Sequence, residues 1–128
     1  MTKEQQDYIQ RIYQNRGYVL DFHKVMVAED FEWVKLYDPF VRYTYTGQRT
    51  LDRKTKELLQ IVALAAKQAG AEHIKLHVKE ALTAGATKQE ILEALQCVVM
   101  VLGGVSFNMG IQAWAEGVGA SRVEPKTG

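Results

Sequence analysis

The chain has 128 residues, 47% of them hydrophobic, and its 16 basic against 15 acidic side chains leave a formal net charge of +1. This is enough apolar material for one domain with its own core, and no basic block is long enough to follow a phosphate backbone, so nucleic acid is not an expected partner. A single cysteine excludes an intrachain disulfide and a CxxC motif, while a polar N-terminus and short apolar runs give no secretory leader and no membrane span, so the expected location is the cytoplasm.

The two prolines, Pro39 and Pro125, stand far apart, and most of the chain carries an apolar period near 3.6. The expected fold is therefore all-α, a single domain over residues 1–128 built as a helical bundle of about six helices, with its core in 20–117. A first helix runs from Lys3 to about Gln14, places Tyr8, Ile9, Ile12 and Tyr13 on one face, and is closed by Gly17. Asp30 caps a second helix through Phe31, Val34 and Tyr37. The stretch FVRYTYTGQRT, ending at Thr50, has strand-like composition but finds no partner strand elsewhere, so helix followed by loop is the preferred reading.

The third helix, in LDRKTKELLQIVALAA, is apolar nearly all round after Glu57 and belongs at the centre of the bundle. A fourth spans about Ala71 to Ala84 and ends at Gly85. Thr87 with Glu90 three residues later is a capping box that starts the fifth. From Cys97 to Leu102 this helix is apolar on every face, which predicts cover from another subunit and hence a homo-oligomer. Gly103 and Gly104 break the chain, Ser106 is placed to cap a last helix carrying Phe107, Ile111 and Trp114, and 118–128 is a frayed tail.

Chemistry concentrates in GAEHIKLHVKEAL, which sets His73 and His77 four residues apart. On a helical projection His77 sits at the edge of the apolar arc, His73 lies one step further out, Glu80 flanks both, and Glu72 faces the other way. Residues at this spacing share one wall, with β-carbons about 5–6 Å apart. They act together on a small ligand or, alternatively, are boundary residues hydrogen-bonded to a neighbouring helix. No metal site is expected, since HxxxH supplies two ligands and lacks the general-base acid of HExxH. Glu57 and Gln60 are polar groups at the start of an apolar helix. They read either as first-turn charge and a satisfied amide or, if buried towards the histidines, as part of a proton relay. Cys97 reads as a small core hydrophobe. Tyr43, Tyr45 and Trp114 read as core or interface residues.

In order, LDRKTKELLQIVALAA, EHIKLHVKEALTAGATKQEILEAL and GGVSFNMGIQAWAE resemble the carboxymuconolactone decarboxylase family, whose relatives include the alkylhydroperoxidase D proteins. The resemblance covers about Leu51 to Glu116. It implies an alkylhydroperoxidase D-like helical fold that assembles into trimers or hexamers and needs no cofactor. The peroxidatic branch uses a CxxC pair, a histidine and an acid. His77 matches that histidine and Glu57 that acid, but the cysteine positions hold Gly70 and His73, so a peroxidase lacks its nucleophile.

The decarboxylase branch removes carbon dioxide from 4-carboxymuconolactone, in aromatic-compound catabolism, and needs an electrostatic stabiliser and a proton donor. The resemblance and the shared helix face together point to His77 for that role, with His73 holding the substrate carboxylate and Glu57 setting the charge or tautomer of an imidazole, and Gln60 and Asn108 are the expected substrate-binding residues. Asn108 matches a family asparagine. The chain departs from the branch at His73, where an acid is usual, at Glu57, where a small hydroxyl residue is common, and at Val105, where a proline is common. A noncatalytic oligomeric scaffold of the same fold is the other reading.

Overall fold

The structure is a computed structural model that describes residues 1–127, all-helical with no strand among them. The chain forms two compact units, Met1–Leu51 and a second beginning at Asp52.

In the first unit α1 (Lys3–Arg16) is opened by a Thr2–Gln5 capping box and closed by Gly17 at φ 83°. Helix α2 (Asp21–Glu29) comes next, then α3 (Phe31–Val41), capped by Asp30 accepting from the Trp33 amide. A π-helical turn, Arg42–Thr46, extends α3. Its closing Gly47 N–H donates to the Arg42 carbonyl at 2.6 Å, and a β-carbon on Gly47 would lie 2.5 Å from that oxygen, so only glycine fits. The chain beyond Pro39 is thus helix and then loop, not strand. Tyr8, Ile12, Val27 and Val34 form the core of this unit, with the Tyr8 hydroxyl donating to the Val34 carbonyl at 3.2 Å.

Helix α2 has no counterpart in the sequence reading, and it is the reason for seven α-helices among the described residues where about six are expected. Its buried positions are His23 and Val27, so the inward face carries one apolar residue and one imidazole and leaves little periodicity to read. His23 is held by the Arg16 guanidinium, 2.8 Å from Nε2, and Arg16 also reaches Asp38 at 3.3 Å.

The second unit comprises α4 (Arg53–Ala66), α5 (Ala71–Thr83), α6 (Lys88–Gln96) and α7 (Val99–Val118). Its core is Ile61, Ala65, Ile74, Val78, Ile91, Leu95, Ala113 and Trp114. Gly85, at φ 98°, lies just beyond α5, and Thr87 with Glu90 forms the capping box of α6. Helix α7 approaches its neighbours closely at two glycines. A β-carbon on Gly110 would lie 2.8 Å from Leu95 Cδ2, and one on Gly117 would lie 2.6 Å from Val78 Cγ1.

Four expectations are corrected here. Helix α4 buries one stripe (Lys56, Glu57, Ile61, Ala65) and leaves Leu59 52% exposed, so it is not covered all round within the chain. Helix α6 stops at Gln96, and Cys97 lies exposed on the turn, its thiol directed to the Ala94 carbonyl, because the helix ends before the thiol can turn inward. The last helix begins at Val99, ahead of the glycine pair. Gly103 alone takes the break, at φ 77° and ψ 166°, and Ser106 is therefore buried within α7 and does not cap it.

Candidate functional site

Helices α4 and α5 bring Glu57 and His77 together. Asp52 caps α4 by accepting from the Thr55 amide, which places Glu57 in the second turn, on the same inward stripe as Ile61. His77 lies on the buried face of α5 between Ile74 and Val78. Glu57 has no exposed surface and His77 is 3% exposed, and Glu57 Oε2 stands 2.8 Å from His77 Nδ1.

The other Glu57 oxygen accepts from Arg53 Nε at 2.8 Å, one helical turn earlier, and Arg53 Nη2 lies 3.8 Å from Glu80 Oε2. A buried carboxylate is costly without partners, and here a guanidinium and an imidazole supply them. Among the described residues no buried side-chain nitrogen or oxygen lacks a hydrogen-bond partner. The network runs from the buried Glu57–His77 pair out to the partly exposed Arg53 and Glu80, at 27% and 17%. Arg53 is the residue that sequence reasoning missed. Its signal was present, a basic residue four positions before an acid on one helix, but such pairs usually lie in solvent.

His73 is half-buried, its ring centroid 5.5 Å from that of His77. Burial holds its imidazole below the usual range, and the neighbouring His77 adds to the effect. A neutral His73 acts as a hydrogen-bonding group. Burial pushes the Glu80 carboxyl up, opposed by the Arg53 guanidinium.

Gln60 is half-buried one turn beyond Glu57. Asn108 is exposed on α7, where it lines a hollow with Gln112, Trp114 and Arg122 that includes none of Glu57, His73 and His77. The structure therefore sets His77 against the Glu57 carboxylate with the His73 ring beside it, and places Asn108 in a different concavity. Among the described residues no three His, Cys, Asp or Glu side chains are grouped to hold a metal ion, and no helix is long and apolar enough to cross a membrane.

The model of the carboxymuconolactone decarboxylase family matches residues 32–116. No curated protein and no solved structure matches the chain.

Proposed function

Because the chain belongs to the carboxymuconolactone decarboxylase family, we propose that it is a cofactor-independent acid/base enzyme acting on a small carboxylated lactone or a related acid. The observation that carries this reading is the buried Glu57–His77 pair, 2.8 Å apart, with Arg53 on the second carboxylate oxygen. Glu57 fixes the ring's orientation and favours the tautomer with the proton on Nδ1, while Arg53 offsets the carboxylate charge. In this reading the bond to the departing carboxylate breaks, its electron pair remains on the ring as a dienolate, and carbon dioxide leaves. His77, entering this step with a proton on each ring nitrogen, delivers the Nε2 proton to carbon, is left as the Nδ1–H tautomer paired with Glu57, and takes a proton back from water. The low dielectric around Glu57 and His77 strengthens the interaction with the developing negative charge. His73, neutral and half-buried, hydrogen-bonds the substrate carboxylate, and Gln60 contributes an amide.

The test is turnover of 4-carboxymuconolactone, monitored as loss of the lactone. His77→Gln reduces kcat at least about a hundredfold, the usual contribution of a positioned acid, with unchanged helical circular dichroism. Parental turnover by this variant refutes the role.

A second reading, a noncatalytic oligomeric scaffold, is favoured by one observation, the complete pairing of buried polar atoms. It predicts no turnover by the parent and a stability loss as the only effect of changing His77. Thiol peroxidase chemistry has little support, since Gly70 and His73 occupy the thiol positions and Cys97 is exposed on a different segment, the turn after α6. The apolar surface at Met100, Val101 and Val105 (92%, 88% and 69% exposed) supports assembly into a homo-oligomer, trimer or hexamer.

A further inference from the structure

A hollow of about 300 Å³ lies in the first unit, between α1 and the segment running from α3 into the π-helical turn. Each wall contributes side chains at positions i, i+3, i+4 and i+7, beginning at Tyr8 on α1 and at Lys35 on α3. Tyr8, Ile12 and Pro39 give it apolar surface, whereas Arg11, Lys35 and Arg42 bring three cations to it against one carboxylate, Asp38. That carboxylate is already engaged, by Arg16 at 3.3 Å and Arg42 at 3.4 Å. Lys35 is shared with the exposed Glu32 and Glu4, at 2.8 and 3.6 Å. Arg11 stacks over the Tyr8 ring, 5.2 Å from its centroid, and makes no ion pair among the described residues. The concavity thus holds an excess of positive charge between low-dielectric walls, which concentrates anions.

We propose that this groove binds a small oxyanion of the phosphate class, with Arg11 and Arg42 as the principal donors from opposite walls. Guanidinium groups on two facing walls suit an oxyanion that offers oxygens in several directions, where a planar carboxylate needs a single fork. The volume is at the lower end for small-molecule sites. Arg42 is positioned by the π turn that only Gly47 can close. The α1 wall lies upstream of residues 32–116, so the groove is not a feature of the family match, and it stands apart from the decarboxylase reading.

The experiment is a titration of the full chain with inorganic phosphate at constant ionic strength, chloride balancing the salt, monitored by amide and arginine Nε–Hε NMR shifts. Saturable shifts confined to the groove, weakened about tenfold by Arg11→Gln, are expected, since each guanidinium supplies charge-assisted bonds. Arg11→Lys retains part of the affinity. Arg49→Gln, which removes a cation stacked on Tyr43 and not lining the groove, leaves it unchanged. Shifts that never saturate, or saturable binding unaltered in Arg11→Gln, overturn the proposal. Arg11 lacks an ion pair, so this variant reads binding even where Arg42→Gln disturbs the fold through Asp38.

Discussion

Replacing Glu57 by glutamine tests whether the buried carboxylate organises the site. The carboxylate is paired with Arg53 Nε and His77 Nδ1, each at 2.8 Å, and has no exposed surface. A charge-assisted hydrogen bond contributes about 1.5–3 kcal/mol and a neutral one about 0.5–1.5, so removing the charge costs about 1 kcal/mol per bond. The amide NH2 must also face one of two donors, which adds about 1 kcal/mol. Arg53 limits the loss because it is 27% exposed and turns towards Glu80. Glu57→Gln is therefore expected to lower stability by about 2–3 kcal/mol, read from equilibrium urea unfolding as a reduced midpoint at constant slope. In the same variant the His77 ring nitrogens, observed by 15N NMR, lose their preference for the Nδ1-protonated tautomer. A loss below about 0.5 kcal/mol, the range of an ordinary surface change, together with an unaltered tautomer, refutes the role given to Glu57.

Burial, with the Arg16 charge, pushes His23 down from 6.5 to about 4. As pH falls, the unfolded imidazole takes up a proton before the folded one. The contribution of His23 is thus fully present above about pH 6.5 and is lost towards pH 4, by about 3 kcal/mol. His23→Gln is expected to flatten this limb of the stability–pH curve, and an unchanged limb counts against the assignment. Gly117→Ala is expected to destabilise more than Gly110→Ala, because its β-carbon meets the stiff, branched Val78 while the other meets the end of the Leu95 side chain. Overpacking costs about 1–3 kcal/mol, offset by about 1 kcal/mol of helix propensity, and the reverse order in thermal unfolding refutes this packing account. If Met100 and Val101 lie in a subunit interface, Met100→Lys with Val101→Lys shifts the protein to smaller species in sedimentation, and an unchanged mass argues against that interface.

Helices with local signals were legible from the residues alone: the Thr87–Glu90 box, Asp30 as a cap, and the breaks at Gly17 and Gly85. It also placed His73 and His77 on one wall, since both lie on one helix and their geometry is set by its pitch. Helix α2 escaped because a buried histidine, satisfied by Arg16 seven residues away, stands where periodicity requires an apolar residue. Cys97 was misread because apolar neighbours look alike whether they pack inward or face outward, and the end of α6 decides which. The partner of His77, by contrast, is set by the packing of α4 on α5. The acid nearest in space is Glu57, 20 positions away on another helix, and the nearest in sequence, Glu80, instead faces Arg53. The same holds for Asn108, which the match to a family asparagine recommended and its place on α7 assigned to another hollow. Pitch and capping are properties of neighbouring residues, whereas burial, and with it the chemistry of a carboxylate, depends on which helices pack over it.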